Sequence, residues 1–145
     1  MVNNNPEKLY LKDYKDLPYT VLRVSLKISV YEKYTEVVSK MKFSVRGLFH
    51  GEPLILDGVN LQLISVCMAG KVLQESEYIL NSKNLILTPS MENFEVEIVN
   101  RIYPSKNSSL EGLYQSGENL YTQCEPEGFR KITYFYEKKF NFRNN

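Results

Sequence analysis

The chain has 145 residues, a hydrophobic fraction of 43% and a near balance of 18 basic against 17 acidic side chains. That length suits one domain able to bury roughly two-thirds of its unfolded surface, while the scattered lysines give neither the clustered basic face that nucleic acid requires nor the polybasic patch of an anionic membrane surface. No window approaches the about 18 apolar residues of a membrane span, the polar Met1–Lys8 segment lacks the apolar region of a secretory signal, and the two distant cysteines, Cys67 and Cys124, fit a reduced, cytoplasmic chain better than a disulfide.

The elements, in chain order, read as strands. Leu22, Val24, Leu26, Ile28 and Val30 alternate with Arg23, Ser25, Lys27 and Ser29, which predicts a strand with one buried and one wet face. After a polar break at Glu32–Thr35, Val37, Met41, Phe43 and Val45 share a face, with Ser39 as the one polar residue on it. The two runs predict an antiparallel hairpin. Pro53–Leu56 is a short run ending at the Asp57-Gly58 turn signal. Val59, Leu61 and Leu63 alternate until the phase slips at Ile64–Ser65, which predicts a β-bulge. Ala69-Gly70 marks a turn. Tyr78–Leu80 and Leu85–Leu87 flank Asn81–Asn84 as a second hairpin, and Phe94, Val96, Ile98 and Ile102 form a long strand. About seven strands with regular turns and no long helical period predict an all-β sandwich or curved antiparallel sheet. From Gly112 to Phe135 the alternation stops and Gly, Tyr, Gln and Glu accumulate, which makes that stretch the candidate for binding a ligand.

Catalytic chemistry is scarce. The one histidine, His50, cannot form the two-histidine His-Glu-x-x-His zinc motif and has no pattern around it to support a Ser-His-Asp arrangement. Gly112, Gly117 and Gly128 lack the strand-then-helix setting and the lysine of a phosphate loop, and there is no Cys-x-x-Cys. Glu125 and Glu127 are a spaced carboxylate pair. Taken alone they are two solvated acids on a loop, since nothing places them across one cleft for glycoside hydrolysis. The aromatics Tyr114, Tyr121, Phe129, Tyr134, Phe135 and Tyr136 can stack on a sugar or a base, or pack the loop onto the sheet. An acidic neighbour at Glu125 disfavours a thiolate at Cys124.

The segment carries a long pattern: Asn-Ser-Ser-Leu-Glu-Gly-Leu-Tyr over 107–114, Gln-Ser-Gly over 115–117, then Thr-Gln-Cys-Glu-Pro-Glu-Gly-Phe-Arg-Lys-Ile-Thr-Tyr-Phe over 122–135. It resembles the N-terminal domain of aminopeptidase N, the zinc-dependent alanyl-type aminopeptidase family. Weaker correspondences run upstream through Leu54–Gly58 to Tyr10–Tyr19. The resemblance implies a saddle-shaped β domain over residues 10–135, a polar tail over 1–9 and a divergent polar tail over 136–145, where Tyr-Glu-Lys-Lys-Phe departs from the family pattern. It also implies a thermolysin-like zinc domain as partner, with zinc belonging to the full-length enzyme and not to this chain. Carried onto this sequence, Glu125 holds the free α-ammonium of a peptide substrate and Gln123 lines the pocket for its first side chain. A positioned carboxylate pairs with an ammonium that exists only at a chain end. Pro126 would stiffen the backbone beyond Glu125, while Glu127 and Arg130 would hold the loop. With no zinc site, the isolated chain is expected to be a substrate-binding fragment without activity. The alternatives are a free-standing β-sandwich module that binds a peptide or protein partner through a sheet edge, and a carbohydrate-binding sandwich.

Overall fold

The computed structural model describes residues 17–124 and 128–136. Within them the chain is built almost wholly of antiparallel strands: β1 (Tyr19–Val30), β2 (Thr35–Val45), β3 (Leu54–Asp57), β4 (Gln62–Met68), β5 (Lys71–Val72), β6 (Ile79–Leu80), β7 (Asn84–Leu87), β8 (Asn93–Ile102), β9 (Gly112–Ser116) and β10 (Asn119–Gln123). Single 3₁₀ turns lie at Glu75–Glu77, Pro104–Lys106 and Phe129–Lys131. The strands form a five-stranded sheet in the order β1-β2-β8-β4-β5, a three-stranded sheet β3-β7-β6 and a two-stranded ribbon β9-β10.

Period-2 patterning sets the large sheet. In β2 and β8 the inward residues Val37, Ser39, Met41 and Phe43 pair across the strands with Asn100, Ile98, Val96 and Phe94, and all are buried. The three-stranded sheet lays Leu54, Leu56, Leu85 and Leu87 over Met41, Phe43, Phe94, Val96 and Ile98, with Tyr19, Val66, Tyr134 and Tyr136 completing that core, while Val37 packs with Ile102, Leu113 and Ile132 in a second cluster. The bulge expected at Ile64–Ser65 is present as a register shift between Leu63 and Ser65. The Ala69-Gly70 turn has both residues in the left-handed region, φ 51° and 79°, the type I′ geometry that suits a tight hairpin.

One local departure from the sequence reading stands out. In β1 a bulge between Val21 and Arg23 moves Leu22 off the expected face. The remaining apolar row, Val24, Leu26, Ile28 and Val30, faces the same way as the core residues of β2 but is exposed. β1 is the edge strand, and the three-stranded layer packs over β2, β8 and β4 instead. At the Asp57-Gly58 turn, where β3 ends, Gly58 also lies against the Tyr134 ring, so close that any Cβ there would clash with it.

Candidate functional site: a clamped hairpin and its outgoing loop

The segment from Asn107 to Tyr136 leaves the large sheet, makes a hairpin and returns to the core. Asn107 organises its start: its Nδ2 donates to the carbonyls of Glu111 (2.7 Å) and Leu113 (3.0 Å), and its Oδ1 accepts from the Ser109 amide and hydroxyl. That wrapping turns the chain through left-handed positions at Leu110 (φ 57°) and Gly112 (φ 75°). Gly112 is doubly constrained, because a Cβ there would also stand 3.0 Å from the Lys131 Cβ, and only glycine adopts such a backbone without strain. The Asn-Ser-Ser-Leu-Glu-Gly-Leu run is therefore a device for launching β9.

β9 and β10 pair in register from Gly112↔Gln123 to Ser116↔Asn119. A two-residue Gly117-Glu118 loop closes them, with φ +61° at Gly117, the position where a type II′ hairpin wants glycine. Tyr114 and Tyr121 stack across the strands with centroids 5.8 Å apart. The sequence reading missed this hairpin because β10 is exposed throughout, as are Gln115 and Ser116 of β9. With most residues facing water on both sides, no apolar alternation arises to signal strands. The usable signal was the Gly117-Glu118 pair between two tyrosines.

Gln123 ends β10 and is exposed at the hairpin base, opposite Gly112. Cys124 follows with an open surface, yet partial burial of the thiol pushes its pKa above the ordinary value. It therefore stays protonated at neutral pH, so a nucleophilic role finds no support. Glu125, Pro126 and Glu127, which carry the expected ammonium anchor, lie outside the described residues.

The chain on the far side of those three residues is firmly held. Arg130 accepts a bond at its carbonyl from Val59 N (2.9 Å), and the Lys131 ammonium pairs with the Glu111 carboxylate at 2.6 Å. That ammonium holds the Glu111 carboxyl below its usual range. Asn100, fully buried, donates to the Ile132 carbonyl (2.9 Å) and accepts from the Thr133 hydroxyl (2.7 Å). Phe135 and Asp57 exchange backbone bonds at 2.8 and 2.9 Å. Tyr136 sets its ring edge-on to Phe43 and accepts the Tyr19 amide at its hydroxyl (3.2 Å). Tyr134 and Tyr136 are thus core residues, and Phe135 packs against the core and edge-on to Phe129, so none of the three offers a stacking platform. Beside the hairpin base lies an open cavity of about 380 Å³, lined in part by Asn107, Ser109, Leu113 and Lys131. Gln123 does not line it. His50 is exposed in its turn. No cluster of three His, Cys, Asp or Glu able to hold a metal ion occurs among the described residues, and none of their helices is long and apolar enough to cross a membrane.

No family model matches the chain. It is similar to aminopeptidase N of Haemophilus influenzae, 40% identical over 132 residues, covering 89% of this chain and 15% of the relative. Against aminopeptidase N of Escherichia coli it is 36% identical over 140 residues, covering 94% and 15%. Among solved structures, Legionella pneumophila aminopeptidase A, crystallised with aspartic acid, superposes with a TM-score of 0.76 at 32% identity, covering 88% of this chain and 15% of that one. An M1 zinc metallopeptidase of Deinococcus radiodurans shares the fold at 12% identity and a TM-score of 0.68, covering 86% and 30%. The chain spans about 15% of the length of these curated relatives.

Proposed function

As a homologue of the N-terminal region of aminopeptidase N, the chain has, we propose, the role of recognising a peptide's free N-terminus for cleavage by a zinc peptidase domain. Glu125 is the anchor for the α-ammonium, and Gln123 borders the pocket for the first side chain. A carboxylate held at that point accepts charge-assisted bonds from an ammonium. A blocked or internal peptide would bury the carboxylate without its partner, at about 1–3 kcal/mol or more. The zinc and the cutting step belong to the partner domain; this chain recognises and orients. The domain we propose starts at Tyr10 and runs through Tyr136, whose ring lies in the core.

The observation that carries this reading is the double clamp. Gln123 is paired at the hairpin base and Ile132 and Thr133 are bound to Asn100, so the described residues on either side of the pattern's Glu125 are fixed to the domain.

The test is a chimera in which residues 17–136 of this chain replace the homologous stretch of the Haemophilus influenzae enzyme. Glu125→Ala in that chimera is expected to lower kcat/KM for an aminoacyl substrate roughly a hundredfold or more, the scale of breaking a buried ion pair. Glu127→Ala should leave it within a few-fold. Equal losses at the two positions would remove the anchor role from Glu125.

A further inference from the structure

The β9–β10 ribbon has two unlike faces. Side chains alternate along each strand, so the cross-strand register places Leu113, Gln115, Leu120 and Thr122 on one face and Tyr114, Ser116, Asn119, Tyr121 and Gln123 on the other. The first face turns toward the domain: Leu113 packs with Val37, Ile102 and Ile132, and Gln115 and Leu120 line a small cavity with Thr35 and Pro104. The second face turns away from it. There Tyr114 and Tyr121 stack on each other, and among the described residues neither belongs to a core cluster. Tyr121 is 46% exposed. Gln123 ends the same face two residues beyond Tyr121, and Gly112 opposite it brings no side chain. The strand residues on this face are all uncharged.

We propose that Tyr121, backed by Tyr114, selects a bulky aromatic first side chain in the substrate, a role that rests on Gln123 bordering the pocket for that side chain. Residues two apart on a strand are separated by about 7 Å, which a tyrosine side chain can bridge. A substrate side chain that passes Gln123 and continues along β10 therefore meets the Tyr121 ring. An aromatic one meets it stacked or edge-on, at a gain beyond its buried area. A short one such as alanine stops before reaching it. A lysine or arginine would lose hydration on a face whose strands offer no carboxylate to pair with, so the face favours an apolar ring over a cation. Tyr114, half-buried, restricts the Tyr121 ring by stacking on it, so less freedom is lost when a substrate arrives. A cross-strand aromatic pair also stabilises the ribbon that it spans, and substrate preference separates the two roles.

The same Haemophilus influenzae chimera serves as the test, with phenylalanyl, alanyl and lysyl derivatives of one chromogenic amine. Tyr121→Thr keeps a β-branched residue on an exposed strand. It is expected to lower kcat/KM for the phenylalanyl substrate about tenfold and to leave the alanyl and lysyl substrates within about twofold. Tyr121→Phe should retain the phenylalanyl preference. Equal losses on all three substrates would assign the rings to ribbon stability or to contact with the peptidase domain, and overturn the proposal. A loss confined to the lysyl substrate would make them a cation platform and overturn it too. Gln123→Ala distinguishes this failure from that of the pocket itself. If Gln123→Ala leaves the ratios among the substrates unchanged, the pocket is not at Gln123 and both readings fall. If it shifts them while Tyr121→Thr does not, only the role of Tyr121 falls. Should the chimera fail to fold, the full chain is titrated with phenylalanine amide and alanine amide while the ring signals of Tyr114 and Tyr121 are followed by NMR. Shifts with phenylalanine amide alone are expected, and equal shifts with both, or none, overturn the proposal.

Discussion

Ser39 and Asn100 occupy neighbouring strands on the inner face of the large sheet, and neither has any exposed surface. Their chemistry diverges. Asn100 uses both ends of its amide, on Ile132 and Thr133, whereas the Ser39 hydroxyl meets no partner. Removing an unpaired buried hydroxyl relieves a desolvation penalty, so Ser39→Ala should raise stability by about 1 kcal/mol in urea denaturation. Asn100→Leu should do the reverse, costing about 1–3 kcal/mol for each group it orphans. Tyr134 and Tyr136 set a limit at high pH. Burial pushes both phenols above their ordinary value of about 10; for Tyr134 the charge of Tyr78 adds to the rise, while at Tyr136 the bond from the Tyr19 amide partly opposes it. The folded state therefore keeps protons that the unfolded chain gives up. The stability from these groups is complete below about pH 10 and is lost as pH rises through their raised folded values. Thermal melts across that window should show a falling Tm, and Tyr134→Phe should blunt the fall. At this scale sequence alone flagged Ser39 as the misfit on its strand but read Asn100 as nothing special, because a buried amide is revealed only by the distant backbone it satisfies.

The strands divide by how they bury their faces. β2, β4, β7 and β8 are legible in the sequence because one face meets the core and the other meets water, which writes a period of two into the residues. β9 and β10 carry no such record, since the ribbon has no second layer over it. β1 wrote the expected pattern and is nonetheless open, because alternation says which residues share a face and not what lies above them. A two-stranded ribbon is marginal without support; here support comes from the Asn107 loop and the Glu111–Lys131 pair at one end only. Amides of β9 and β10 near Gly117 should therefore exchange with solvent well ahead of those of β2 and β8, with those near Gly112 intermediate. Native-state hydrogen exchange measures this directly, and uniform protection along the ribbon would contradict it.

For the whole molecule, the all-β antiparallel architecture followed from turn spacing and strand period, and the likeness to the N-terminal region of aminopeptidase N from the pattern over 107–135. What sequence could not convey was that the far end of the supposed ligand segment is core. Ile132, Thr133, Tyr134 and Tyr136 are buried, and Tyr136, assigned from sequence to a divergent tail, lies among Tyr19 and Phe43. The Tyr19–Tyr136 bond joins positions 117 residues apart, and this has a consequence during synthesis. The ribosome adds about 5–20 residues per second, so roughly ten seconds separate the emergence of the first strand from that of the tyrosine that seals it. The leucines of β3 and β7 emerge within that interval and stay without their full cover until Tyr134 and Tyr136 follow.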